Sequence, residues 1–274
     1  MFLNAVILIL QEILEAALLI SVLLTLTRQL ELLWPALHAS RHWVPAALLA
    51  GAAGAWFYAS RMPAISEWFD YVGQDVVNAL IQIGIVLLAL CFGCLYPASR
   101  QSRDRHDRLA ALCLIGMVAL VVTREGSEVI LYVDGIAGQP GNLTPVLLGG
   151  LMAAGIGLSC GVFLHYGLTA LRTPHALRTA LVVLALFVGN MAVQAVMLLT
   201  QADWLPYTME LWDSSGLIDE TGITGQLLFA LIGYEATPSL LQVLVYFAVI
   251  AAVMLTRVFR AGWAQGSTQR GVAV

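Results

Sequence analysis

The sequence predicts an all-α polytopic membrane protein, with seven transmembrane helices built as a 3+3 inverted repeat plus one additional C-terminal helix. Three observations predict it. The 274-residue chain is 60% hydrophobic and only 11% charged, too apolar for a soluble domain of this length. Its apolar residues gather into stretches of about 20, the length that crosses a hydrocarbon layer of about 30 Å. Two polar motifs recur at nearly one offset. Glu12 and Glu125 stand 113 positions apart, and Asn78-x-x-x-Gln82 returns as Asn190-x-x-x-Gln194 after 112.

The first span, 2–27, carries Glu12 and Glu15 and has no basic residue in Met1–Asn4. It reads as a retained helix rather than a cleaved signal peptide. The second span covers 43–60. The third covers 72–96 and is closed by Pro97. The fourth runs over 109–133, the fifth over 145–171, the sixth over 178–200 and the seventh over 239–259. Thr144-Pro145 and Thr237-Pro238 place a capping hydroxyl before a first-turn proline at the fifth and seventh. The whole chain, 1–274, is one transmembrane domain. Repeat one is about 1–97, repeat two about 108–200, an outer loop 201–237 and the seventh helix about 238–260. Three spans per half put the halves in opposite orientations, so the first and fourth spans run antiparallel.

All 13 basic residues are arginine. Arg28 and Arg41 follow the first span. Arg100, Arg103, Arg105 and Arg108 follow the third, and Arg172 and Arg178 the fifth. Arg257, Arg260 and Arg270 follow the seventh. These ends alternate onto one side, which the positive-inside rule makes cytoplasmic. The N-terminus is then outside and the C-terminus inside, in the cytoplasmic (inner) membrane, with the lipid bilayer as the main partner. The opposite side has Arg61 and many acids: Glu67, Asp70, Asp75, Asp134 and, in 201–237, Asp203, Glu210, Asp213, Asp219, Glu220 and Glu235. Two readings stand. The acids concentrate cations at an entrance, or they are simply unopposed where topology excludes arginine. A net charge of -4 gives no reason to expect nucleic acid. Cys91, Cys94, Cys113 and Cys160 all fall in apolar stretches and form no disulfide framework.

The chemistry lies in two Glu-x-x-Glu motifs inside the membrane: Glu12 with Glu15, and Glu125 with Glu128. An i,i+3 spacing projects both carboxylates from nearly one helix face. A charge at the centre of a membrane helix costs about 2.5–3.5 kcal/mol on insertion scales, so four need compensation. Facing each other from antiparallel helices, they make an oxygen-rich site suited to hard cations. A purely structural arrangement would need more positive charge than Arg124 supplies. Because neighbours i,i+1 do not face each other on a helix, Arg124 is expected to pair with an acid on another helix.

These residues resemble the motifs of the high-affinity iron permease family, the oxidase-dependent iron transporters. The resemblance rests on Arg124-Glu125-Gly126-x-Glu128, its partner at Glu12 and Glu15, the seven-span layout and the segment Gly233–Val243. It covers essentially the whole chain. It implies a transporter rather than an enzyme, with iron ions as substrate, no permanently bound cofactor, and the four glutamates as metal ligands supported by Arg124. It also implies a periplasmic iron-binding or ferroxidase partner. The first motif departs from the pattern: Gln11 stands where the family usually has Arg, and Ile13 where it usually has Gly. Ile13 removes the close helix approach that glycine allows. A permease for another divalent cation such as manganese, and a membrane-embedded oxidoreductase with a fixed iron centre, remain open. A sensor is disfavoured because the loops are too short for a soluble domain.

Asn78, Gln82, Asn190 and Gln194 either line the path as neutral ligands or hydrogen-bond the helices together, the latter being slightly favoured. Glu67-x-x-Asp70 reads as an outer metal-capture pair or a solvated loop face, with Trp68 and Phe69 at headgroup level. The cysteines read as small apolar residues. His38, His42, His106, His165 and His175 map to the inner half or the cytoplasmic loops, and only His38 and His42, at i,i+4, have ligand-like spacing. The segment Thr224–Tyr234 is apolar enough to lie along or dip into the outer face. The tail Gly262–Val274 has no readable role.

Overall fold

The structure is a computed structural model that describes residues 2–33, 43–95, 103–137, 143–220 and 222–270. Among these the regular elements are helices: α1 Phe2–Leu33, α2 Trp43–Ser66, α3 Trp68–Tyr71, α4 Gly73–Leu95, α5 Arg103–Ala137, α6 Leu143–Ala170, α7 Thr173–Gln201, α8 Ile223–Ile232 and α9 Leu240–Arg270. Five are long and apolar enough to cross a membrane: α1, α4, α5, α6 and α7. α2 has 24 residues, about 36 Å of helix, but is rich in alanine and glycine rather than leucine and isoleucine. α9 contributes the shorter apolar stretch Leu240–Thr256.

The helices overrun the predicted spans at most ends. α2 continues through Pro63 to Ser66. α5 already begins at Arg103, and α7 at Thr173 with a proline in its first turn, so Arg178 is helical rather than in a loop. α6 begins at Leu143, one residue before Thr144. α9 starts differently from the expectation for the seventh span. Its cap is Ser239, not Thr237: Ser239 N–H donates to Gln242 Oε1 (2.7 Å) and Gln242 N–H to Ser239 Oγ (3.4 Å). This reciprocal pairing satisfies both orphan donors. Arg41, Arg100, Pro97, His38 and His42 lie outside the described residues, as does Gly271–Val274 of the tail.

α1 packs along α6, and α2 along α5. α4 and α7 lie against each other between these pairs, with α9 on their far side. Small residues allow the close pairs. A methyl group added at Gly157 of α6 would sit 2.9 Å from Ile13 Cγ2, and one at Gly161 would sit 3.0 Å from the Ala17 carbonyl. On α2, Gly51 and Gly54 meet Val122 and Thr123 of α5. Such small-residue stripes let helices approach where lipid provides no hydrophobic drive. Ile13 therefore does not prevent close approach, because Gly157 on the partner helix receives its bulk. Leu49, Phe57, Leu151 and Phe163 of the outer helices are exposed, as a lipid-facing surface requires.

The sequence left the segment of α8 either along the outer face or dipping into it. α8 packs on α1 and α7 and points into the bundle. Its last residues reach Asn190, whose Nδ2 donates to the Phe229 carbonyl (2.9 Å), while the Tyr246 hydroxyl donates to the Ile232 carbonyl (2.9 Å). Asn190 lies 11 residues before the end of α7, about 16 Å along that helix. The chain turns at Gly233, which takes a left-handed φ of 70°, and climbs back to the loop level. There Glu210 and Ser239 form an antiparallel bridge.

Candidate metal centre

Glu12 and Glu15 project from α1, Glu125 and Glu128 from α5. Oxygens of Glu12, Glu125 and Glu128 all lie within 4.8 Å of one another. Glu12 and Glu125 are buried, while Glu128 keeps 28% of its side chain exposed. One carboxylate oxygen of Glu125, Oε2, is buried with no hydrogen-bond partner. A buried carboxylate oxygen beside two more carboxylates needs a compensating partner, which either a cation or a proton shared between the carboxyls can supply.

Glu15 is outside this trio. It is 3% exposed and lies 3.5 Å from Arg124 Nη1, with Gln194 beside it. The structure thus gathers three of the four expected ligands and gives the fourth to the arginine. Arg124 also differs from the sequence expectation. It does reach across to Glu15, but its shortest contact is with its own neighbour: Nη1 donates to Glu125 Oε1 at 2.7 Å. Its Nε lies 3.5 Å from Glu128. The backbone rule fails here because the arginine stem is long enough to curl past Cβ directions and meet the Glu125 carboxylate at its tip. Ser127, fully buried, donates to the Arg124 carbonyl (2.7 Å).

The four amides are buried and engaged between helices. Gln82 Nε2 donates to Gln194 Oε1 (2.7 Å), joining α4 to α7. Asn78 Oδ1 accepts from the Tyr58 hydroxyl of α2 (2.9 Å), and Asn190 holds the tip of α8. Tyr58 stands near Glu128. It was not singled out in the sequence because it follows Trp56 and Phe57 and reads with them as an interfacial aromatic.

Gln11 lines a cavity of about 200 Å³ together with Met197, Glu220, Phe229, Tyr234 and Glu235. Glu220 accepts a hydrogen bond from the Ala236 N–H, and Glu235 accepts one from Gln242 Nε2 (2.6 Å). Further out, two hydrogen bonds from Ser215 hold the Asp213 carboxyl below its ordinary range, so it stays ionised at neutral pH. Towards the arginine-rich ends the site is closed. Leu18, Val22, Met117, Val118, Leu184 and Val188 are at most 4% exposed. Glu67, at the N-cap of α3, and Asp70 within it are exposed, on a turn with left-handed backbone at Phe69, Asp70 and Tyr71. Among the described residues they belong to no group of three potential ligands. His165 Nδ1 pairs with Thr25 Oγ1 (2.9 Å) across α1 and α6. Cys91 and Cys94 are exposed and Cys113 is buried.

A family model described as the iron permease FTR1 family matches residues 2–264. No curated protein and no solved structure matches the chain.

Proposed function

The chain belongs to the iron permease FTR1 family, and from that premise we propose how it carries iron. As a family member it is an iron permease and a multi-pass membrane protein. In our reading iron binds between α1 and α5, with Glu12, Glu15, Glu125 and Glu128 as its ligands and Arg124 tuning their charge. The observation that carries this is the buried meeting of three carboxylates, one with an unpaired oxygen. Four carboxylates and one guanidinium leave three negative charges when all are ionised, enough to neutralise a trivalent ion. A divalent ion leaves one charge for a proton. Oxygen ligands of this kind also suit manganese, the nearest alternative cargo.

The pairing of α1 with α6 and α2 with α5, and the bond between Gln82 and Gln194 112 positions apart, support a 3+3 inverted repeat with α9 as the added seventh span. Such repeats place the substrate near the midplane, at the interface between halves. Iron would approach through the cavity beside Gln11 and leave past the apolar seal around Leu18 and Met117. That path puts the N-terminus outside and the C-terminus inside, in the cytoplasmic membrane. Iron is cargo here, with no resident cofactor. A periplasmic iron-binding or ferroxidase partner rests on the resemblance alone.

The test is uptake into proteoliposomes, with Fe(II) and Fe(III) supplied separately and Mn(II) as competitor. Glu125→Gln and Glu12→Gln, correctly inserted, are each expected to cut iron uptake at least tenfold. Wild-type rates in either variant sink the site. Iron retained stoichiometrically with no flux would point instead to a fixed redox centre.

A further inference from the structure

The four glutamates do not sit at one level. Glu12 meets Glu125 and Glu128, whereas Glu15, one turn further along α1, meets Arg124. That register is the one antiparallel helices produce. With Glu12 nearest the level of Glu125, the antiparallel run puts Glu128 and Glu15 on opposite sides of it, each about 4.5 Å away along its helix. Glu15 is kept from the trio by the Arg124 guanidinium and flanked by the Gln194 amide. That amide is half of a pair in which both side chains are at most 2% exposed. The pair makes a single bond, Gln82 Nε2 to Gln194 Oε1; Gln82 Oε1 is buried without a partner, and Gln194 Nε2, buried beside Glu15, completes no hydrogen bond. Buried amide groups are rarely left unpaired without a reason.

We infer that the four glutamates form two overlapping three-carboxylate sites. Both use Glu12 and Glu125; Glu128 completes the one described, and Glu15 completes a second. The Gln82–Gln194 pair positions Glu15 between the two. The unpartnered atoms are the donor and acceptor of the reverse bond, Gln194 Nε2 to Gln82 Oε1. Forming it turns Gln194 Nε2 away from Glu15, which then exchanges its 3.5 Å contact with Arg124 for the ion. An ion changing sites in this way exchanges one carboxylate while keeping two, so it is never stripped of its ligands in an apolar surrounding. Gln82 and Gln194 are positioning residues, acting through Glu15. The inference rests on the metal site proposed above.

The experiment uses the full chain in nanodiscs, monodisperse on size exclusion. Fe(II) binding is titrated anaerobically, and uptake is measured in proteoliposomes. Glu128→Gln is expected to weaken Fe(II) binding at least tenfold and Glu15→Gln less than threefold, while both lose uptake at least tenfold. Equal weakening by the two overturns the two-site arrangement and leaves iron transport standing. Gln194→Leu releases Glu15 to join the ion as a fourth carboxylate, lowering KM and Vmax together by at least threefold. A pair that only glues helices lowers Vmax and the yield of folded protein with KM unchanged or raised, and that outcome overturns the positioning role. If the wild-type chain ignores both Fe(II) and Fe(III) but takes up Mn(II), the iron reading fails. The ranking of the same variants with Mn(II) then decides the two-site arrangement.

Discussion

Arg124 decides how four carboxylates share one small volume. Its guanidinium lies within 3.5 Å of Glu15, Glu125 and Glu128 in a setting where each unpaired charge is expensive. Removing one partner of a buried ion pair costs about 3–5 kcal/mol, because the other is left uncompensated. Arg124→Gln should therefore lower the thermal midpoint in detergent clearly, and Arg124→Lys less, since lysine keeps the charge but not the planar fork. Saturating metal should restore part of the loss in Arg124→Gln, because a cation bound only by the folded state stabilises it. An unchanged midpoint in Arg124→Gln would show that the glutamates do not depend on it. The motif spacing made the glutamates legible in the sequence. Which three meet, and that Arg124 turns back to Glu125, was not legible, since side-chain reach depends on rotamers and facing helices.

At the scale of elements, close packing depends on where the small residues sit. Gly157 of α6 receives Ile13 of α1, the residue that replaces a usual glycine. Gly157→Val should cost about 1–3 kcal/mol through overpacking. The double variant with Ile13→Gly should recover part of that, measured as a non-additive thermal shift; strict additivity would break the pairing. α8 makes a second case. Gly233 holds a φ of 70°, and an added methyl would approach Asn190 Oδ1 to 2.8 Å. Gly233→Ala should cost about 1–2 kcal/mol from the backbone alone. It should also raise hydrogen exchange across 222–239, with α1 and α5 unchanged. The sequence left α8 open between lying along the outer face and dipping into it, because its ten residues are too short to span and periodicity does not separate a surface helix from one dipping inward. The cap of α9 was misplaced by two residues for a related reason: Thr237-Pro238 and Ser239 both carry start signals, and the Gln242 side chain selects Ser239.

For the whole molecule, orientation is the prediction that matters. Leu217 is 87% exposed in the loop between α7 and α8. In a chain whose four native cysteines are replaced by alanine, Leu217→Cys should react with a membrane-impermeant maleimide from outside intact cells. A cysteine appended to the C-terminus should react only after permeabilisation. Labelling of both from one face would remove the proposed topology. The sequence by itself determined that this is an all-helical membrane protein with two acidic motifs on separate helices and arginine concentrated at alternate ends. Composition, apolar run length and charge placement act locally, so no folded partner is needed to read them. Only the tertiary structure decided that α1 pairs with α6 and α2 with α5, that α8 enters the bundle, and that Glu15 is withheld from the other three glutamates. Each of these depends on contacts between helices far apart in the chain, where glycine against isoleucine and amide against amide settle distances that no local pattern encodes.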